Sequence, residues 1–297
     1  MSQVASSKVV LVCYQFISPQ NVFLFKCISV DVRGLDLSSN LLSKWEAIAE
    51  ITRELPLLRR LSLKCVINSS RGVDAKLVAL SSRNRLQPPS NFRPLDGAFQ
   101  NLTDLQLNAT FLSWTEMQTI TSNMPKLQLI EMGYNCLSRL SDGMIRPHDC
   151  NIQVINLDTN NCSDWVHLCA SFSEYHSYVI ACQIVCSYHY HLSSLQRIVL
   201  TSNRISLIPF PAQPEDSLLA IKYLSLSNNL LNAWSDIDAL SCWFPTLETL
   251  TISNNPIANG DDPHIASSIY VNLQYFLKTP NSESTHVPSS SQEYHPS

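Results

Sequence analysis

The pattern Leu-x-Leu-x-x-Asn-x-Leu recurs along this 297-residue chain and constrains its fold more than any other feature. One copy begins at Leu35 and a closely similar copy begins at Leu224. The Leu-x-Leu alternation is typical of a short strand whose two leucines face the same side. The asparagine comes where the chain must turn, and its side-chain amide can satisfy backbone groups that the turn leaves unpaired. Stacked copies are therefore expected to form a ladder of asparagines.

Eight copies can be aligned by the residue in the asparagine position. In chain order these residues are Asn40, Asn84, Thr110, Asn135, Asn160, Asn203, Asn229 and Asn255. Most steps between them are 25 or 26 residues. This period predicts a leucine-rich repeat solenoid of about eight repeats, an α/β fold. We expect a curved horseshoe of short parallel strands, with helices on the convex side.

Helical spacing of apolar residues follows the turn in three repeats, over 45–55, 114–124 and 234–244. A proline comes directly after each run and is expected to end the helix. Tryptophans stand at the start of the helical segments, and we expect them to pack in the repeat core or against its convex side. These residues are Trp45, Trp114, Trp165 and Trp234.

Two steps are longer than the period. Removal of 18 residues, 64–81, restores the pattern, and removal of 17 or 18 residues near 177–192 restores a normal step in the second case. Both segments fit either translated intron sequence or surface loops, which solenoids tolerate. The predicted domain organisation is an irregular segment 1–31 (also a candidate for non-native coding), a repeat domain 32–277 and a disordered tail 278–297.

Composition argues against several classes of function. A net charge of -4 without a basic cluster does not favour nucleic-acid binding. Six scattered glycines cannot form a Gly-rich phosphate loop, and no Gly-x-Ser-x-Gly elbow is present, so an enzyme is not expected. The ten cysteines are irregularly spaced and are expected to be reduced thiols. A Cys/His cluster at 182–191 has no familiar zinc spacing and lies within the second long step. We predict no metal and no cofactor.

The concave face of the strands is the expected binding surface, because repeat solenoids present their partners with this face. The candidates are residues that flank the paired leucines and point away from them. They are Asp36, Arg60, Asp104, Gln106, Glu131, Asn156, Asp158, Arg197, Tyr223 and Thr251. The set is mixed in charge and acidic across repeats three to five, which favours a folded protein as the partner.

Three segments carry a resemblance to a known family. They are Leu35-Asp-Leu-Ser-Ser-Asn-Leu-Leu-Ser-Lys-Trp45, Leu105-Gln-Leu-Asn-Ala-Thr-Phe-Leu-Ser-Trp-Thr-Glu116 and Ser253-Asn-Asn-Pro-Ile257. Over roughly 32–260 the chain resembles the tubulin-folding cofactor E family of tubulin-specific chaperones. The resemblance implies a cytoplasmic, non-enzymatic factor that binds α-tubulin, together with other tubulin cofactors, in assembly and disassembly of the αβ-tubulin heterodimer.

The chain also departs from that family. Neither the Gly-rich cytoskeleton-associated module nor the ubiquitin-like domain of the family is visible, so we expect the chain to correspond to the central solenoid.

Two other interpretations remain open. A secreted or cell-surface leucine-rich repeat protein is suggested by the apolar run 9–17 and by Asn-x-Ser/Thr triplets. These triplets begin at Asn68, Asn101, Asn108 and Asn161. Polar residues and Pro19 follow the apolar run, so it is not a clean membrane span. A cytosolic repeat scaffold or regulator of another protein is the second alternative.

Overall fold

The repeats build a single stacked sheet within the residues that the structure describes. The computed structural model describes residues 8–11, 31–38, 40, 42, 44–64, 95–140, 151–172, 194–214, 217–259 and 270–271, with only the backbone for the first and last of these ranges. Ten strands lie in the sheet in chain order. They are β1 (Lys8–Leu11), β2 (Val32–Asp36), β3 (Arg60–Ser62), β4 (Asp104–Gln106), β5 (Leu129–Glu131), β6 (Val154–Asn156), β7 (Arg197–Val199), β8 (Tyr223–Ser225), β9 (Thr249–Thr251) and β10 (Tyr270–Val271).

Strands β2 to β9 correspond to the eight predicted repeats and run parallel to one another. Each strand pairs with the next so that the first apolar residue of one Leu-x-Leu pair lies beside its counterpart. These counterparts are Leu35, Leu61, Leu105, Ile130, Ile155, Ile198, Leu224 and Leu250. The fold is a leucine-rich repeat solenoid, as the sequence predicts.

The hydrophobic core is a continuous column between the sheet and the helical side. All eight strand residues above are at most 2% exposed. Full burial of one such side chain stabilises a fold by about 1.5–3 kcal/mol. Because each repeat covers the apolar face of its neighbour, the stability of the domain depends on stacking rather than on any isolated repeat.

The predicted asparagine ladder is present. Asn160 donates from Nδ2 to the carbonyl of Leu157 at 2.9 Å and to that of Met132, in the preceding repeat, at 3.0 Å. Its Oδ1 accepts the backbone N–H groups of Asn135 and Leu137 at 3.0 Å each. The same donation to the preceding repeat recurs at Asn135, Asn203, Asn229 and Asn255. One side chain thus satisfies buried backbone groups of two repeats.

The turn before each asparagine requires an unusual backbone. The preceding residue has a positive φ between 51° and 60° in six repeats. These residues are Ala109, Tyr134, Thr159, Ser202, Asn228 and Asn254. A left-handed conformation is disfavoured for residues other than glycine, asparagine and aspartate, so the ladder holds several turns in a strained form.

Helices follow the turns of repeats one, three, five and seven. They are α1 (Trp45–Arg53), α2 (Trp114–Thr121), α3 (165–172) and α4 (Trp234–Trp243). α2 begins with a reciprocal capping box, in which Ser113 Oγ accepts from the N–H of Glu116 and Glu116 Oε2 accepts from the N–H of Ser113. None of the helices within the described ranges is long and apolar enough to cross a membrane.

Three of the four tryptophans pack in the repeat core, one of the two positions expected for them. Trp45, Trp114 and Trp165 are at most 2% exposed. Trp114 meets Phe172 of α3 edge-on, with ring centroids 6.3 Å apart. Trp165 likewise meets Phe244, the residue after α4, with ring centroids 5.8 Å apart. Each of these two contacts joins helices that are two repeats apart, across a repeat in which no helix is described.

Trp234, at the start of α4, is not in the core and is 51% exposed. Trp114 and Trp165 each meet an aromatic ring at the helix two repeats further on. α4 is the last α-helix in the described residues, where repeat eight continues into a short 3-10 helix, Pro256–Asn259. Trp234 therefore occupies the same sequence position without the same neighbour.

The two long steps leave the stacking intact. β3 pairs directly with β4, and β6 pairs directly with β7, in the same register as the other neighbours. The ladder also crosses the second step, since Asn203 donates to the carbonyl of Leu157 at 3.0 Å. Apart from Lys64, the predicted insertions 64–81 and 177–192 lie outside the described residues.

Both ends of the sheet carry a strand beyond the eight repeats. Segment 1–31, which matches no repeat in the sequence, contributes β1, which pairs parallel to β2. Residues 8–11 thus belong to the sheet, and the predicted division into domains stays a prediction. At the other end, β10 pairs antiparallel to β9.

Replacing Asn160 with alanine tests the ladder. The variant removes the side-chain hydrogen-bond partner of two buried N–H groups and two buried carbonyls. Each unsatisfied buried group costs about 1–3 kcal/mol. We expect the free energy of unfolding to fall by about 3–5 kcal/mol, measured by urea denaturation monitored by circular dichroism. Asn161→Ala, at the adjacent half-buried residue, should cost less than about 1 kcal/mol. Equal losses in the two variants would contradict the role of the ladder.

Candidate protein-binding face

The outward residues of the strands form two columns along the sheet, which we call the open face. The first column, which precedes the Leu-x-Leu pairs, is Gly34, Arg60, Asp104, Leu129, Val154, Arg197, Tyr223 and Thr249. The second column, within the pairs, is Asp36, Ser62, Gln106, Glu131, Asn156, Val199, Ser225 and Thr251. Neighbours within a column lie about 4.8 Å apart, the spacing between strands.

The structure places nine of the ten predicted site residues in these columns. The tenth, Asp158, lies two residues beyond the end of β6, next to the second column. Arg60 and Arg197 are exposed, and the other eight side chains are half-buried. The sequence pattern therefore identifies correctly which residues share a face. Their role in binding remains a prediction.

Glu131 is the centre of a polar network in the acidic part of the open face. Its two carboxylate oxygens accept from Gln106 Nε2 at 3.2 Å and from Asn108 Nδ2 at 2.8 Å. Asn108 Oδ1 in turn accepts the N–H of Gly133 at 2.7 Å. These bonds fix the position of the Glu131 carboxylate. They also engage both ends of the Asn108 side-chain amide. Asn108 begins one of the Asn-x-Ser/Thr triplets, which are potential glycosylation sites.

Asp158 lies beside Glu131 in an unfavourable setting for a charge. Burial raises the pKa of the Asp158 carboxyl above its ordinary value, and the charge of Glu131 raises it further, while a backbone hydrogen bond acts in the opposite direction. No lysine, arginine or histidine nitrogen from the described part of the chain comes within 4.0 Å of either carboxylate. The two carboxylates thus repel each other without a compensating cation from these residues.

Gly133 provides the space that the Asp158 carboxylate occupies. A Cβ atom at residue 133 would lie 2.0 Å from Asp158 Oδ1 and 3.0 Å from its Cγ. The two residues are 25 positions apart, one repeat step, so a glycine in repeat four determines where an acid of repeat five can lie.

The basic residues of the open face are held by other side chains. The Arg197 guanidinium lies over the ring of Tyr223, 4.1 Å from its centroid, in a cation–π contact. Arg60 Nε lies 4.0 Å from Asp104 Oδ2, a loose ion pair at the exposed edge. Both arginines therefore lean along the first column towards the following strand.

Hydroxyl groups pair with one another across β8 and β9. Ser225 Oγ bonds to Thr201 Oγ1 at 2.8 Å and accepts from Thr251 Oγ1 at 2.7 Å. Ser253 and Ser227 form a further pair at 2.9 Å. The predicted site residue Thr251 is thus already engaged, and this end of the open face is largely self-satisfied.

Three apolar residues of the open face are absent from the predicted site. Leu129, Val154 and Val199 all point outward and are half-buried. The alternation that places Glu131 outward also places Leu129 outward. An apolar residue at a solvent-facing strand position is the more informative signal, because polar residues are expected there.

The described cysteines and histidine do not form a metal or catalytic centre. Cys162 and Cys169 are buried free thiols, and Cys136 and Cys242 are exposed free thiols. Burial raises the pKa of the Cys162 thiol to about 12, so it remains protonated and unreactive at neutral pH. No group of three metal-ligating side chains occurs among the described residues, and the Cys/His cluster at 182–191 lies outside them.

Comparisons with known proteins agree with the pattern of the repeats. Tubulin-specific chaperone E of Rattus norvegicus is 27% identical to this chain over 235 residues, which cover 78% of the chain and 37% of that protein. The Danio rerio chaperone E is 30% identical over 236 residues, and tubulin-folding cofactor E of Arabidopsis thaliana is 26% identical over 238 residues. The resemblance to tubulin-folding cofactor E is confirmed. The chain spans 37% of the length of these cofactor E relatives.

Two further comparisons were made, with protein-family models and with solved structures. No protein-family model matches the chain. Among solved structures, the crystal structure of the TLR13–ssRNA13 complex matches with a TM-score of 0.42 and 18% identity, covering 78% of this chain and 34% of that one. This overall similarity is low.

Asp158→Asn should stabilise the domain at neutral pH. The folded-state pKa of Asp158 lies above its ordinary value of 3.8, so the folded state holds this proton more tightly than the unfolded state. The stability that this group contributes is lost as the pH rises from about 3.8 through the folded pKa. We expect a gain of up to about 1 kcal/mol at pH 7 and a flatter pH dependence in acid, measured by urea denaturation from pH 3 to 7. Asp238→Asn, on the exposed side of α4, is the control; a fall in stability for Asp158→Asn would contradict the assignment.

Gly133→Ala should destabilise the domain because its new Cβ would displace the Asp158 carboxylate. We expect a loss of about 1–3 kcal/mol, typical of an added methyl group in a filled space. In an Asp158→Ala background the loss should be smaller, since the clashing oxygen and Cγ are gone. Thermal denaturation of the four proteins in this double-mutant cycle measures the coupling; additive losses would show that the contact has no energetic role.

Proposed function

We propose that this chain is a non-catalytic, protein-binding leucine-rich repeat domain of the tubulin-folding pathway. The open face carries this proposal: its polar and apolar side chains are presented in regular columns by a rigid sheet, and no fold element of the described residues covers them. Rigid, mixed polar and apolar surfaces of this kind fit a folded protein partner.

The proposed partner is α-tubulin, together with other tubulin cofactors, during assembly and disassembly of the αβ-tubulin heterodimer. The names of the relatives support this partner, since they are tubulin-specific chaperones and a tubulin-folding cofactor. The proposed location is the cytoplasm. Because this chain spans 37% of those relatives, the proposal concerns the contribution of the repeat domain to tubulin handling.

A pull-down with purified tubulin tests this function. We expect the immobilised chain to retain α-tubulin at micromolar concentration, and the Arg197→Ala, Tyr223→Ala double variant to retain about tenfold less, because aromatic and arginine side chains contribute most to protein interfaces. Val166→Ala changes an exposed apolar residue on α3 and should not affect retention. Failure of the unaltered chain to retain α-tubulin would contradict the proposal.

Glycosidase treatment distinguishes the secreted alternative. Asn108 begins one of the Asn-x-Ser/Thr triplets, and its amide bonds to Glu131 and Gly133. A glycan on Asn108 would disrupt both contacts. We expect protein expressed in eukaryotic cells to show the same electrophoretic mobility before and after treatment. A mobility shift would instead support a secreted repeat protein.

A further inference from the structure

The middle of the open face carries an apolar strip, defined by Leu129, Val154 and Val199. Leu129 on β5 lies directly beside Val154 on β6, as the strand register shows. Val199 on β7 lies beside Asn156 of β6, one position along the same face from Val154. Residues two apart on a strand are about 6.6 Å apart, so the three side chains are close enough to be contacted by one partner element.

Nearby long side chains are directed away from the strip. Arg197 is the strand neighbour of Val154, but its guanidinium lies over Tyr223 on the opposite side. Glu131 follows Leu129 on the same face, and its carboxylate is bound to the amides of Gln106 and Asn108 on the preceding repeat. Both of these long side chains are therefore held elsewhere, and the strip is left half-exposed.

A carboxylate pair borders the strip on one side. Glu131 lies two residues after Leu129, and Asp158 lies four residues after Val154, on the same side of the sheet. The fold gains nothing from these two charges being adjacent, since the charge of Glu131 disfavours ionisation of Asp158. Both nevertheless have fixed positions, set by the two amides at Glu131 and by Gly133 beneath Asp158.

We propose that the apolar strip with its carboxylate pair docks a segment of a partner protein that presents an aliphatic or aromatic side chain next to a lysine or arginine. The apolar side chain packs on Leu129 and Val154, and the cation lies between the Glu131 and Asp158 carboxylates. Charge complementarity identifies the occupant: a cation removes the repulsion between the two acids, and the desolvated strip strengthens that attraction. This inference rests on the proposed role of the open face in protein binding and specifies the chemistry of its partner.

A selection from random peptides tests this chemistry without assuming a partner. Phage displaying random 12-residue peptides are panned on the folded chain. We expect enriched peptides to carry lysine or arginine within about three residues of Leu, Ile, Val, Met or Phe. Enrichment of acidic or purely polar peptides, or no enrichment over a blank surface, would overturn the inference.

Variants locate the binding of the enriched peptides. Glu131→Gln combined with Asp158→Asn removes the charges and keeps the shapes, and Leu129→Ser removes the apolar contact. We expect each to weaken binding of a synthetic enriched peptide by at least about tenfold in fluorescence anisotropy titrations. The matched controls are Asp238→Asn and Val166→Ser, which make the same kinds of change on the helical side. Circular dichroism melts establish that all four variants are folded.

The same variants separate this inference from the proposed function. If the chain retains tubulin and the charge-neutralised and Leu129→Ser variants retain it equally well, the docking inference is wrong while the tubulin role stands. If the chain retains no tubulin but the enriched basic, apolar peptides require Leu129, Glu131 and Asp158, the docking surface stands and the tubulin proposal is wrong. Peptide binding that is unchanged in the variants overturns the docking surface in either case.

Discussion

The bond between each asparagine amide and the backbone of the preceding repeat is the constraint on which this solenoid depends. Asn160 Nδ2 donates to the carbonyl of Met132 in the preceding repeat, and Asn203 Nδ2 donates to that of Leu157, both at 3.0 Å. The two bonds are equal although Asn160 follows the previous ladder asparagine by 25 residues and Asn203 by 43. The spacing of the repeats is therefore set by the need to pair buried backbone groups, and not by the length of chain that connects them. Register follows from this spacing, and the columns of the open face follow from register.

The helical side of the solenoid is less regular than the sheet, because α-helices are described only in alternate repeats. Helices are described after every second turn, and the tryptophans of α2 and α3 each reach an aromatic ring at the helix two repeats further on. Segment 204–214 of repeat six forms no α-helix, and Trp165 meets Phe244 of the following repeat. Trp234 has nearly the same preceding sequence as Trp45, but Trp45 meets Phe99 edge-on at 6.2 Å whereas Trp234 is 51% exposed. The burial of a tryptophan here thus depends on whether a ring from another repeat reaches it. Such a dependence between distant repeats cannot be seen within one repeat.

The period of the sequence predicted the strands, the asparagine ladder and the membership of the open face, because each of these repeats with the chain. Features that belong to single repeats were missed. The contact between Gly133 and Asp158 involves two unremarkable residues whose meeting is apparent only when neighbouring repeats are aligned. Leu129 follows the same alternation as Glu131 but is absent from the predicted site. The positive φ of Thr159 follows from the geometry of the turn and not from the residue, since threonine does not favour that conformation.

The polar groups of the open face differ in what a partner could gain from them. At β8 and β9 the hydroxyls of Ser225 and Thr251 already bond to each other, so a partner must break one hydrogen bond to make another and gains little. Asp158 is the opposite case, because its charge is fixed beside that of Glu131 at a cost to the folded state. A cation bound there would relieve a repulsion that exists before binding, so its contribution would include that relief as well as the new contact. Residues that a fold holds at a cost to its own stability are more informative about binding than residues that it has satisfied internally.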